Sequence, residues 1–538
     1  MPGSCQVHES SSKWSTREDS ARNGEEGEYL LDVHGVDYIN KEARSHDYNQ
    51  TLPTLCWKKT KWMVMVLITL LVLVRRLFIP LPPHPNQTFV GGKLRSNGTH
   101  DFKRTVVLVS IDGFRADYLD RGLTPHLRNV SKQGIRAKFM RPIFPVCSPF
   151  QLNHWTLMTG LYAESHGIVA NNFWDPASRS EFHYSNVKSW QNASWWFGEP
   201  MWETARRAGL ITANLMWLGP TKTSSGVEST YFVPWKDNVP LKEKLDQIIS
   251  WVDLPLHKRP QLILGSSATS ANTNKSLRRS LSLAYDQSLD HAGHTNGPMS
   301  VSVNRTLQQV DGFARDLHAE LQARNLTDIV DTIFVSDHGM TDTSHPEFIY
   351  MDDILGADGV KMIEHEDGWP SMGLRFRPEA NETHYLQTLI QASEANGHKF
   401  DVYTHKTMPK RYRFSNSDRI APIYVVPKIG YALTTYEQGT AGMSTGNHGY
   451  DNLEPSMRAI FIAHGPFSAV AKALQRSAFS AFHFLSCLNV GKRAVSDDAH
   501  IVEGFQNVEL YNLVIKLLGT QQYAAKNNGT SGFWDKYF

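Results

Sequence analysis

The sequence predicts an α/β domain built on a mostly parallel central sheet, and three stretches carry that prediction. Val106-Val107-Leu108-Val109 runs into Ser110-Ile111-Asp112-Gly113, and Ile333-Phe334-Val335 runs into Ser336-Asp337-His338-Gly339. Short apolar runs rich in β-branched residues, closed by a polar residue and glycine, are the pattern of strands buried on both faces of a parallel sheet. Just before the second run, Leu307, Val310, Ala314, Leu317 and Leu321 recur at helical spacing. Strand alternating with helix is what covers the faces of such a sheet.

In that architecture ligands collect outside the carboxyl ends of the strands, and two of those ends here are acidic. Asp112 and the pair Asp337-His338 are joined by Asp290 and His294 in Asp-His-Ala-Gly-His and by His448 in Asn-His-Gly-Tyr. Three carboxylates and three imidazoles suit two zinc ions, which bind both ligand types at about 2.0–2.2 Å. Two metals about 3.5–4 Å apart clamp the attacking and leaving oxygens of a phosphoryl displacement. The plainer alternative is that the acidic strand ends are helix N-caps.

The resemblance carried by these motifs is specific. Ile111 to Arg115, Thr159-Gly160-Leu161-Tyr162-Ala163-Glu164-Ser165-His166-Gly167 onward to Asn171-Asn172, Asp290 to Pro298, Ser336 to Met340 and His448 to Asn452 occur in that order. Together they resemble the nucleotide pyrophosphatase/phosphodiesterase family of the alkaline phosphatase superfamily, over roughly residues 103 to 515. The resemblance implies an alkaline-phosphatase-like three-layer sandwich. It also implies a two-zinc hydrolase that cleaves phosphodiester or pyrophosphate bonds of nucleotides through a covalent hydroxyl-linked intermediate and releases a nucleoside monophosphate. Asp290, His294 and His448 would hold one zinc; Asp112, Asp337 and His338 would hold the other with the nucleophile. Asn171 would donate to the phosphoryl oxygen, where charge develops.

The chain departs from the family at the nucleophile. The family pattern is Phe-Pro-x-x-Thr-Phe-Pro-Asn-His, whereas here Phe144-Pro145-Val146-Cys147-Ser148-Pro149-Phe150-Gln151-Leu152 precedes Asn153-His154. Counted from Phe144, Ser148 takes the threonine's place; counted back from Asn153, Phe150 does, because two residues are extra. A serine hydroxyl at a helix start beside a metal can perform the step. The alternative is a catalytically impaired glycoprotein that keeps fold and metals. A sulfatase-like reading of Cys147-Ser148-Pro149-Phe150-Gln151 is weaker, since Gln151 replaces the signature arginine and imidazoles suit zinc better than an all-oxygen calcium site.

A gene-structure explanation also fits. Codons for Cys147 to Gln151, read two bases out of frame, can spell Leu-Thr-Phe-Pro. Two further stretches look inserted: the Ser/Thr/Asn-rich run 265–283, which interrupts an expected strand from Arg259-Pro260-Gln261-Leu262-Ile263-Leu264 to Ala284-Tyr285, and the interval 472–498. Together with 146–152 they are expected to be translated intron or misjoined exon sequence, although loops tolerate insertions cheaply.

Ahead of the catalytic domain (103–520), residues 1–57 are polar and aperiodic, as a disordered cytoplasmic tail would be. Residues 58–80 are expected to form a single membrane anchor and 81–102 a linker, with 521–538 a C-terminal tail. The apolar run Trp62–Val74 is short for a span, but Leu77-Phe78-Ile79 lengthens it and Arg75 and Arg76 can snorkel. With Lys58, Lys59 and Lys61 ahead of the run, the expected topology is type II. The enzyme would then lie outside the cell or in the secretory or vacuolar lumen. Sequons at Asn86, Asn97, Asn129, Asn192, Asn274, Asn304, Asn325, Asn381 and Asn528 agree. Cys147 and Cys487 imply no disulfide framework. A net charge of +2 with no basic stripe argues against a nucleic-acid polymer as partner and leaves a small-molecule nucleotide as substrate. Trp217, Tyr285 and Trp369 are candidates for stacking on a base.

Overall fold

The computed structural model describes residues 54–78, 89, 93–145, 151–236, 238–266, 289–440, 443–486 and 500–538. Ser148, Tyr285, Cys147, Cys487, Asn86 and Asn274 lie outside the described residues. The chain divides into two units, Met1–Leu81 and Pro82–Phe538.

In the first unit, helix α1 (Thr54–Phe78) has 25 residues. No helix among the described residues is long and apolar enough to cross a membrane. The basic residues are the reason. Lys61 and Arg75 confine the uninterrupted apolar stretch to 62–74, about 20 Å at 1.5 Å per residue. A bilayer's hydrocarbon core is roughly 30 Å thick.

The second unit is organised around eight strands: β1 (Thr105–Ser110), β2 (Ile135–Ala137), β3 (Thr212–Leu215), β4 (Tyr231–Val233), β5 (Leu262–Ser266), β6 (Val330–Val335), β7 (Phe461–His464) and β8 (His500–Val502). Their order across the sheet is β8-β2-β7-β6-β1-β5-β3-β4. Strands β4, β3, β5, β1 and β6 run parallel. Strand β7 is antiparallel to both its neighbours.

Alternation along the strands explains the layers. Val107, Val109, Ile263 and Phe334 pack on one face with Leu307, Val310, Ala314, Leu317 and Leu321 of the helix Val301–Ala323. Val106, Leu108, Leu262, Leu264, Ile333 and Val335 face the other way, against Leu152 and Leu157 of the helix Gln151–Thr159 and against Leu513 and Leu517. Both faces are dry, which is why the strands read as continuous apolar runs. A four-stranded antiparallel sheet, in the order Ile363–Asp367, Met372–Phe376, Ile423–Pro427, Phe400–Thr404, forms a satellite with its own core of Leu374, Leu389, Ile423 and Val425.

Three boundary expectations change in detail. Gly265 and Ser266 belong to β5, paired with Val109 and Ser110 of β1, so any inserted sequence begins after the strand. The helix Pro466–Ser486 runs well into the suspect interval 472–498. Residues beyond 520 are part of the packed domain, since Trp534 is buried against Phe461, Phe467 and Phe505.

Candidate metal centre

Register builds the first half of the site. Ser110 pairs with Val335 across β1 and β6, so Asp112 and Asp337, each two residues further on, leave adjacent strands at the same level. The turn after β1 carries Gly113 at φ +71°, where a Cβ would lie 2.8 Å from the Asp290 Cα. That glycine provides both the left-handed turn and the space for the next element. Its backbone N–H donates to Asp337 Oδ1 at 3.2 Å.

The next element is the helix Leu289–Asn296. Asp290 and His294 are four residues apart and so share a face, with His294 Nε2 3.4 Å from Asp290 Oδ1. His448 follows the short strand Gly446–Asn447. Gly446 is needed there because a Cβ would meet the Gly293 carbonyl oxygen at 2.4 Å. His294 Nδ1–H donates to the Gly446 oxygen at 2.8 Å, which turns Nε2 toward the site. His338 is fixed in the same way, its Nδ1 lying 2.9 Å from the Gly339 oxygen.

The outcome is one buried constellation. Asp112, Asp337 and His338 offer ligand atoms within 4.8 Å of one another, and so do Asp290, His338 and His448. His294 Nε2 also lies 3.2 Å from His448 Nε2, which in turn lies 3.3 Å from Asp290 Oδ1. Two ligands on 2.1 Å arms of a tetrahedral zinc would stand about 3.4 Å apart, so the trio Asp290, His294 and His448 matches that spacing on every edge. His338 Nε2 is 3.0 Å from Asp337 Oδ2 and 3.6 Å from Asp112 Oδ1.

The donor atoms fit a cation on chemical grounds too. Both oxygens of Asp112, one each of Asp290 and Asp337, and Nε2 of His338 are buried and form no hydrogen bond. Uncompensated charge in such a place costs several kcal/mol. Burial and then the charges of Asp337 and Asp290 push the Asp112 carboxyl well above its usual range. Burial would raise Asp290 and Asp337 as well, but His294 and His448 hold the first, and His338 and His154 the second, well below it. Burial and the neighbouring His338 bring His448 down to about 4, so it is neutral and able to ligate. The N-cap alternative fails for Asp112 because its oxygens accept nothing. All six sequence candidates therefore meet.

Asn171 lies half-buried immediately before the strand Asn172–Asp175, its carbonyl accepting from Tyr184. Trp217 is buried edge-on against His154, and Trp369 is half-buried beside Pro370. Sequence reasoning passed over His154 and Ser110 as contributors, although both stand inside the motifs it quoted. Their roles depend on a contact between β1 and the helix Gln151–Thr159 that no local pattern announces.

Comparison with known proteins agrees with this centre. The sequence profile of the type I phosphodiesterase/nucleotide pyrophosphatase family matches residues 106–451. An uncharacterised pyrophosphatase/phosphodiesterase of Schizosaccharomyces pombe is 35% identical over 449 residues, 82% of this chain and 81% of that protein. Human ectonucleotide pyrophosphatase/phosphodiesterase family member 1 is 32% identical over 438 residues, 79% of this chain but 41% of its own length. Beside that relative, the chain spans well under half. The solved structure of murine ectonucleotide pyrophosphatase/phosphodiesterase 5 superposes with a TM-score of 0.64 at 26% identity, covering 80% of this chain and 98% of its own. An inactive threonine-to-alanine variant of that protein, in complex with AMP, gives 0.63 at 27% identity over the same shares. The chain belongs to the type I phosphodiesterase/nucleotide pyrophosphatase family and is a hydrolase of that type.

Proposed function

We propose that this hydrolase uses two zinc ions to cleave phosphodiester or pyrophosphate bonds of nucleotides, releasing nucleoside monophosphates. The observation that carries the proposal is the convergence of three carboxylates and three imidazoles, with five ligand atoms buried and without a hydrogen-bond partner. Bound there, the metals would lower the pKa of a hydroxyl or water and neutralise charge gathering on phosphorus. Asp290, His294 and His448 would hold one; Asp112, Asp337 and His338 would hold the other. The chain's own part is to deliver a hydroxyl in line with the scissile bond, a role this proposal gives to Ser148, and to donate from Asn171 to the phosphoryl oxygen. The Ser148 oxygen would bond phosphorus as the leaving group departs, and water would then release the monophosphate and restore the hydroxyl. The threonine-to-alanine variant of the murine relative, named inactive, is in keeping with a hydroxyl-dependent step in that protein.

The test is hydrolysis of a nucleoside triphosphate and of a chromogenic thymidine phosphodiester by the purified protein, loaded with zinc or stripped, beside Ser148→Ala. Activity that needs metal and disappears in Ser148→Ala supports the proposal. Zinc binding without hydrolysis in either protein supports the second reading, a catalytically impaired glycoprotein, which the two extra residues between Phe144 and Asn153 favour. The same proposal places the catalytic unit in the extracellular space or the secretory or vacuolar lumen, on the strength of its sequons. A mass shift on endoglycosidase treatment checks that placement.

A further inference from the structure

His154 is completely buried in the helix Gln151–Thr159, and its ring bridges two strand ends. Nε2 lies 2.8 Å from the Oγ of Ser110, the last residue of β1. Nδ1 lies 3.4 Å from Asp337 Oδ2, just past the end of β6. The edge of the ring meets the Trp217 indole, with centroids 5.5 Å apart, which limits its tilt.

The hydrogen-bond roles follow from the partners. Asp337 is a carboxylate and can only accept, so Nδ1 must carry the hydrogen facing it. In the neutral ring Nε2 is then the acceptor, and the Ser110 hydroxyl donates to it. The opposite tautomer would turn a lone pair on the carboxylate. Asp337 is thus faced on both oxygens: the Gly113 N–H donates to Oδ1, and the His154 Nδ1 stands 3.4 Å from Oδ2, a close polar contact short of hydrogen-bond geometry. Those two groups come from different elements and bracket the carboxylate from both sides.

We propose that His154 is a positioning residue for the metal centre: anchored by Ser110 at Nε2, it holds the Asp337 carboxylate in the orientation that ligates metal together with His338. The proposal rests on the reading of Asp337 as a metal ligand. Carboxylate–imidazole pairs behind metal ligands commonly run from a ligating histidine outward to an acid. Here the order is reversed, with the imidazole behind the acid. The reason is geometric: Asp337 leaves the sheet beside Asp112, whose like charge repels it, and a fixed imidazole beside Oδ2, the oxygen that also faces His338, keeps the two carboxylates converging rather than splaying apart.

The test uses the full-length protein and zinc alone, with zinc content and affinity measured by competition with a chromogenic chelator. Four variants are compared: His154→Leu, His154→Asn, His154→Gln and Ser110→Ala. Asparagine places its amide nitrogen near the position of Nδ1, whereas glutamine reaches toward Ser110. The expected result is zinc binding weakened about 10–100-fold at one of the two sites in His154→Leu and His154→Gln, the range for lost partners of metal ligands. His154→Asn should regain most of that affinity, and Ser110→Ala should fall between. In active preparations kcat should fall in the same order with little change in KM. The melting temperature of the metal-free protein is recorded for each variant, because a purely structural histidine would lower it alike in His154→Leu and His154→Asn.

Equal zinc affinity in wild type and His154→Leu overturns the proposal, as does equal loss in His154→Asn and His154→Leu. Should His154→Leu not fold, the contrast of His154→Asn with His154→Gln decides in the same way. Failure of the functional reading would look different, since the wild-type protein would then bind no zinc at all.

Discussion

The imidazoles of His338 and His448 lie nearly parallel, with centroids 3.5 Å apart. One ring follows a strand of the central sheet and the other follows the short strand Gly446–Asn447 more than a hundred residues later, and their contact is where the two ligand clusters join. His338 serves both clusters, whereas His294 stands at the rim with a fifth of its side chain exposed. His338→Ala is therefore expected to lower the affinity for both metals and to cut hydrolysis by at least about 100-fold. His294→Ala should lose one equivalent and keep the other. Metal content per chain by plasma mass spectrometry, read with activity, distinguishes the two.

Metal should stabilise as well as activate. Three carboxylates are buried in one cluster, so zinc that binds the folded chain alone should raise stability by about 2.7 kcal/mol at a hundredfold excess over Kd. Magnesium, which prefers an all-oxygen octahedron, should do much less. A thermal melt of stripped protein, with each ion added in turn, measures the difference; equal shifts from the two ions would argue against the zinc assignment.

The approach of Gly446 to the Gly293 carbonyl predicts a local failure. Gly446→Ala places a methyl group 2.4 Å from that oxygen, and relief requires the strand to back away from the helix that carries Asp290 and His294. The expected effects are a loss of about 1–3 kcal/mol, as for other overpacked sites, and weaker metal binding on the His294 side. Denaturant unfolding of the metal-free variant isolates the first effect.

Acid should destabilise the domain through His166. The ring is fully buried, accepting from the Ile168 N–H at Nδ1 and facing Thr156 Oγ1 with Nε2. Burial brings its pKa down to about 3. Between there and the unfolded value near 6.5 the unfolded chain binds the extra proton, so stability falls as pH falls through that window, by up to about 1.4 kcal/mol per pH unit. Above pH 7 this histidine contributes no slope. A shallower loss between pH 6.5 and 4 in His166→Gln, followed by chemical denaturation, is the expected outcome.

Sequencing the transcript across 140–155, 260–290 and 468–505 resolves the missing threonine. If the transcript lacks the extra stretches and reads Thr-Phe-Pro before Asn153, the chain's catalytic segment is an ordinary one of its family. If it encodes Ser148 in the present context, residual hydrolysis must come from that serine and should fall to background in Ser148→Ala.

Much of this centre was legible because its ligands follow strands with a strong local signature. Val106–Val109 and Ile333–Val335 could be read as buried strands, and their acidic ends as neighbours in a parallel sheet. The helix bearing Leu307 to Leu321 was equally plain from its period. The antiparallel course of β7 was not, because Phe461–His464 is as apolar as the parallel strands and hydropathy carries no direction. The partnership of His154 with Asp337 and Ser110 was hidden for another reason: it is a tertiary contact between three elements, and each residue alone looks like ordinary motif filler.

The six candidate ligands come from positions 112, 290, 294, 337, 338 and 448, on four separate stretches of chain. No fragment that stops short of residue 448 holds them all. On the two-metal proposal, capture of the full set of ions would work as a checkpoint on the whole polypeptide. A nascent or truncated chain would carry an open, negatively charged notch, and only the finished one would close it around its ions. Ion uptake would then be the last sign of maturity, arriving after the sheet is complete and the late histidine segment has come home.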